Sequence, residues 1–150
     1  MFMPDHKSKS IPREVDTLLS KFNRTYWVTL RKDGSPTAHP MSGLYEQSRL
    51  RYTSYKKSIK NRNIERDPRT CVLATNGYGS ESNKLEAATL KGIAVIVDAA
   101  QTPSKLGRES DGTQSGGTNR ARAAIEAGRR SVVEIVPTEI AALTQQVREG

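Results

Sequence analysis

Apolar residues recur along this chain with two different periods. Val15, Leu18, Leu19 and Phe22 lie at helical spacing, so Pro12–Phe22 is predicted to be a short amphipathic helix, with Pro12 suited to its first turn. From Thr25 to Arg31 the period drops to two. Tyr26, Val28 and Leu30 share one face, and Thr25, Trp27 and Thr29 share the other. Lys32-Asp33-Gly34-Ser35 supplies the Asp-Gly pair of a tight hairpin, and Pro36–Leu44 returns as a second strand. Pro40 has no amide proton for a sheet ladder, so a bulge or a free edge is expected there. Glu46-Gln47-Ser48 turns the chain into a third strand, Arg49–Tyr55. Thr70–Thr75, Ala87–Asp98 and Val132–Val136 are the remaining strands. Ala87–Asp98 is apolar on both faces, with Ile93, Val95 and Val97 against Ala94 and Ile96. It is therefore expected at the centre of the sheet or at an interface.

The connections are polar. Residues 1–11 read as a loose arm, and Asn76–Glu86 is a linker with two glycines. Gly107, Gly112, Gly116 and Gly117 among serines and threonines make 99–118 read as a mobile loop. Asn119–Ala127 is alanine-rich and predicts a short helix, with Gly128 as its C-cap. Pro137–Val147 predicts a further short helix.

The connection with the most chemistry is Ser58–Arg69. Ser58 is a good N-cap. Ile59–Arg66 forms two helical turns, and Asp67-Pro68 ends them, because the residue before a proline avoids the helical region. A helix start attracts negative charge through its free amides and its dipole. Lys56, Lys57 and Lys60 crowd that end, and Lys60 and Asn63, three apart, are expected to share a face. Between Lys56 and Arg69 there are six basic residues and two acidic ones, a net of +4. A phosphate site and a solvated basic plug on a barrel end both fit this stretch.

Composition narrows the choice of partner. The chain has 150 residues and a net charge of +8, and a single domain of this size buries about 70% of its unfolded surface. Aromatic content is only 5%, a thin supply for a core, so burial between subunits and hence an oligomer is expected. The single cysteine, Cys71, excludes an internal disulfide framework and reads as a buried, inert thiol. No apolar run reaches the ~20 residues of a membrane span, and the polar start Met1–Pro12 is not a signal peptide. A soluble cytoplasmic protein is expected, with no membrane partner. The basic charge lacks the aromatic interleaving of single-strand binders and any zinc-finger or helix-turn-helix signature. Nucleic acid is therefore excluded in favour of an anionic small molecule.

These stretches together resemble the split β-barrel flavin and deazaflavin oxidoreductases of the pyridoxamine 5'-phosphate oxidase-like family. The resemblance rests first on Ser-x-Lys-x-x-Asn-Ile-x-Arg-Asp-Pro-Arg after a strand holding Tyr52-Thr53-Ser54. Val28–Pro36 is similar to the family's first hairpin, Leu90–Asp98 to its long central strand and Val132–Thr138 to its last strand. The resemblance implies a six-stranded antiparallel split β-barrel with short peripheral helices, closed so that no strand edge is exposed. It implies a homodimer with a cofactor near the interface. It places the backbone of Pro40, Met41 and Ser42 beside a flavin ring and assigns the cofactor phosphate to Thr53, Lys57, Ser58, Lys60 and Asn63.

Side-chain chemistry is sparse. The two histidines, His6 and His39, make no Ser-His-Asp order, and His39 with Cys71 is not a metal set. No Walker loop or Gly-x-Gly-x-x-Gly occurs. An enzyme built this way leaves the hard chemistry to a cofactor, as the family implies, and no catalytic side chain is assigned. The basic excess suits the polyglutamate tail of coenzyme F420, with FMN as the alternative and haem a further family ligand. The expected function is hydride transfer from F420 to a small organic acceptor; an FMN-dependent oxidase or reductase, or a carrier without turnover, is the alternative. The Arg-x-x-Leu-Leu-Lys strand and Trp-Arg-Leu-x-Pro ending of true pyridoxamine phosphate oxidases are both missing, which disfavours vitamin B6 oxidation.

Overall fold

The structure, a computed structural model, describes residues 8–77, 84–102 and 116–146. In chain order these form α1 (Arg13–Lys21), β1 (Arg24–Leu30), β2 (Pro36–Ser42), β3 (Leu44–Glu46) and β4 (Arg49–Tyr55). Then come α2 (Ile59–Arg66), β5 (Arg69–Thr75), β6 (Lys84–Val97), a single 3-10 turn at Ala99–Gln101, α3 (Gly116–Glu126) and β7 (Arg130–Gln146). All seven strands make one antiparallel sheet in the order β2-β1-β5-β6-β7-β4-β3. The sheet curls around its core as a split barrel.

The expected strands are present, with three differences. The count is seven, because Gly43 interrupts the return strand and Leu44–Glu46 pairs separately with β4. Gln47 and Ser48 turn that hairpin, both with positive φ (53° and 57°). Closure is also incomplete: β2 and β3, consecutive in the chain, are the two edges of the sheet and do not pair with each other. Pro40 accordingly sits on a free edge, opposite Tyr26.

The third difference concerns 137–147. No helix forms over the described residues 137–146. β7 runs through Pro137 to Gln146, and Lys84–Lys91 of β6 is its partner. The sequence Ile140–Gln146 favours helix locally, but a ladder along a neighbouring strand outweighs propensities of a few tenths of a kcal/mol per residue. A register shift between Lys91 and Gly92 accommodates Pro137 and Thr138. Gly92 is required at that point, because a Cβ there would lie 1.9 Å from the Val136 carbonyl oxygen. The same pairing extends β6 back to Lys84, into the stretch expected as linker.

The core lies between the inner sheet face and α1, whose Val15, Leu18 and Leu19 are buried. At its centre Trp27 and Tyr52 stack with ring centroids 5.0 Å apart. Their polar atoms are satisfied. Trp27 Nε1 donates to Thr70 Oγ1 at 2.7 Å, and Thr70 Oγ1 donates to the Val28 carbonyl. The Tyr52 hydroxyl bonds Thr25, and Thr25 Oγ1 bonds the Met41 carbonyl at 2.9 Å.

The termini and loops divide. Lys9 N donates to the Pro137 carbonyl at 2.7 Å, so the described end of the expected arm is tied to the sheet. Most of 99–118 lies outside the described residues. α3 begins three residues before the predicted Asn119, and Gly128 follows its end with φ +74°. Among the described residues no helix is long and apolar enough to cross a membrane.

Candidate functional site

α2 packs on β1 and β4, and local chemistry fixes both its ends. Ser58 has extended backbone angles, and its Oγ accepts from the Asn61 amide at 3.2 Å. The same oxygen lies 2.9 Å from Ser54 Oγ, which ties the helix start to the end of β4. Asp67 is the C-cap, and its carboxylate holds the Arg69 guanidinium at 2.7 Å, which keeps the Asp67 carboxyl below its ordinary range.

The residues suggested by the sequence divide between the surface and the interior. Lys57 is exposed, Lys60 and Ser58 are half-buried, and Thr53 is half-buried on β4. Asn63 is buried, and its Nδ2 donates to Thr29 Oγ1 at 3.0 Å inside the barrel. Lys60 and Asn63 therefore do not present one surface. Three residues fall roughly 60° short of a helical turn, enough to turn Asn63 inward while Lys60 stays at the margin. On β2 the alternation splits the expected ring-contact stretch. Pro40 and Ser42 are exposed on one face, and Met41 packs against the core on the other.

Among the described residues three buried side-chain polar atoms lack partners: His39 Nδ1, Asn61 Oδ1 and Arg130 Nε. Buried polar groups are nearly always hydrogen-bonded, so such atoms are notable. His39 is on β2, Asn61 on α2 and Arg130 at the start of β7.

Arg130 is held in place without being neutralised. Its Nη1 donates to Thr53 Oγ1 at 3.0 Å, and its guanidinium carbon lies 4.0 Å above the Tyr55 ring centroid. Its hydrogen bond and charge, followed by the charges of Arg129 and Arg120, hold the Tyr55 phenol below its ordinary value. Lys56 donates its amide to the Arg129 carbonyl, and its Nζ lies 3.9 Å from where a Gly128 Cβ would stand. A basic rim thus joins the start of α2 to the turn between α3 and β7. Sequence reading missed Arg130. The available signal was the Arg129-Arg130 pair at the start of a strand, which becomes meaningful only once β4 and β7 are paired through Tyr55 and Arg130.

A cavity of about 410 Å³ lies elsewhere, on the outer sheet face, between Val28, Leu30, Cys71, Lys91, Ile93 and Thr138. Cys71 is half-buried there and not enclosed as expected. Burial pushes its thiol up; nearby Lys91 opposes that shift and Glu139 adds to it. A thiol above its ordinary value is a poor nucleophile. Among the described residues no group of three His, Cys, Asp or Glu side chains is placed to hold a metal.

The model of the pyridoxamine 5'-phosphate oxidase family matches residues 11–144. The chain belongs to this family. Comparison with curated proteins gives no match. Solved structures share the fold. A conserved hypothetical protein from Mycobacterium tuberculosis superposes with a TM-score of 0.68 at 19% identity, covering 99% of this chain and 91% of that one. A protein named F420 reductase gives 0.59 at 19% identity, over 87% of this chain and 98% of that one. An FAD binding protein from Mycobacterium smegmatis gives 0.60 at 12% identity, over 91% and 98%. At these identities the likeness fixes the fold.

Proposed function

We propose that this protein is an oxidoreductase that binds a phosphate-bearing flavin-type cofactor at the basic rim of α2 and passes hydride to a small organic acceptor. The observation that carries the reading is Arg130. A guanidinium oriented by Thr53 and Tyr55, with a buried Nε left unpartnered, is a donor prepared for an anion. Ser58, Lys57 and Lys60 add a helix start and two cations in the connection that follows β4. Membership of the oxidase family and the fold shared with an F420 reductase and an FAD binding protein support a flavin-type ligand. Coenzyme F420 is preferred over FMN, because Lys56, Arg120 and Arg129 extend the positive charge outward, where a tail of carboxylates would run.

The bound cofactor would supply the hydride chemistry. The chain's own residues bind and orient: Arg130, Ser58 and Lys60 hold the phosphate, and the β2 backbone from Pro40 to Ser42 borders the ring. The acceptor is a small molecule. Pro40, Tyr26, Leu73, Thr89 and Ala141 form one row across five strands on the outer face. Tyr26 and Leu73 are exposed there, with Leu143 nearby. A second copy of the chain is proposed to cover this face, bringing the partner to the ring stretch of β2.

Fluorescence titration with F420 and with FMN tests the site. Lys60→Ala and Arg130→Met are each expected to weaken binding about tenfold or more, since a charge-assisted bond is worth ~1.5–3 kcal/mol. Lys91→Ala, in the outer-face cavity, should leave affinity unchanged. Equal binding by all three variants would reduce α2 to a barrel plug. Oxidation of the reduced cofactor by quinone, enone or tetrapyrrole acceptors then distinguishes an enzyme from a carrier.

A further inference from the structure

His39 faces the interior from the edge strand β2, paired in register with Trp27. Its Nδ1 is buried and has no partner. The charged groups that act on it are Lys60 from α2 and Arg31 from the end of β1, both cations. Neither forms an ion pair among the described residues. Asp33, across the hairpin, interacts with Arg31 but is bonded to Ser35. The register partner of His39 on β1, Trp27, is uncharged. Protonating His39 would therefore add a third positive charge beside Lys60 and Arg31 and leave a buried N–H without an acceptor.

We propose that His39 is a proton-coupled part of the anion site: neutral when the site is empty, and protonated when an anion settles beside Lys60. This deepens the reading above and rests on it only for the identity of the anion. Burial, then the charges of Lys60 and Arg31, already hold the imidazole below its ordinary 6.5. An anion cancels the repulsion and raises it. Binding then takes up a proton at pH values between the empty and the bound pKa. Affinity is highest below the empty value and falls as pH rises through the bound one. A rise of about one unit on binding corresponds to an affinity lower at pH 8 than at pH 5 by up to about tenfold.

Proton NMR of the two imidazoles tests this, with His39→Gln identifying the resonance. Sulfate is the first probe, since it does not titrate between pH 5 and 8. In chloride His39 should titrate below 6.5, and in sulfate at matched ionic strength its pKa should rise. F420 is the second probe; its phosphodiester is likewise silent in this range. Calorimetry in two buffers of different ionisation enthalpy should show proton uptake at pH 6 by the unaltered protein and none by His39→Gln. A His39 titrating at or above 6.5 without anion, or equal proton uptake by both proteins, overturns the inference even if cofactor binds. If sulfate shifts His39 but neither F420 nor FMN binds, the inference stands and the proposed function falls.

Discussion

The two faces of β1 invert what their side chains suggest. Thr25, Trp27 and Thr29 look mixed and face the core, where all three are almost fully enclosed. Tyr26, Val28 and Leu30 look apolar and face outward, with Tyr26 45% exposed. The inner face is possible because every hydroxyl on it has a partner: Thr25 bonds Tyr52 and Met41, Thr29 accepts from Asn63, and Trp27 donates to Thr70. Satisfied polar groups can be buried at little net cost, whereas unsatisfied ones cannot. Among the described residues the outer face of β1 carries no such network. Tyr26 and Leu73, exposed apolar residues on this side of the sheet, are the ones that the proposed second copy would cover.

The strongest way to break this contrast is Trp27→Ala. Loss of the ring stacked on Tyr52 is expected to cost about 3–5 kcal/mol, measured by urea unfolding. A loss below ~1 kcal/mol would mean that the inner face is not the core. Thr25→Val is gentler in shape but strands the Tyr52 hydroxyl, which burial already keeps protonated well above ordinary tyrosine. Its expected cost is about 1–3 kcal/mol, while Tyr26→Thr on the outer face should stay within ~0.5 kcal/mol of the parent monomer.

Leu73→Glu sharpens the other side. It should leave the fold intact yet shift sedimentation from a dimer toward a 16.6 kDa species. An unaltered protein that sediments only at that mass would show that the outer face has no second copy on it.

The smallest effect concerns Tyr45, whose hydroxyl donates to the Asp16 carboxylate on α1. Burial, followed by that bond and charge, pushes its pKa up to about 12. The folded state thus binds the proton more tightly than the unfolded one. Its contribution is complete below pH ~10 and is lost as pH rises toward 12. Tyr45→Phe should flatten the alkaline end of a stability–pH curve, and an unchanged curve would remove the Asp16 link.

Local signals were legible wherever a single residue's chemistry decides the backbone. Ser58 caps α2, Asp67-Pro68 ends it, Asp33-Gly34 turns the first hairpin and Gly128 closes α3. Long-range choices were not. Pro137–Val147 reads as helix until β6 is present to pair with residues 137–146. Asn63 reads as a neighbour of Lys60 until the barrel claims its amide. Arg130 carries no motif, and its role depends on β4 placing Thr53 and Tyr55 beneath it.

The sequence alone therefore determined the strand periods, the caps, the turns and the basic helix, because these depend on torsions and charges within a few residues. Only the tertiary structure decided which face of β1 is inside, since alternation with period two defines two faces without ranking them. It also decided which buried atoms remain unpaired. Whether His39 Nδ1 or Arg130 Nε finds a partner depends on strands brought together from distant parts of the chain, and no local pattern encodes that meeting.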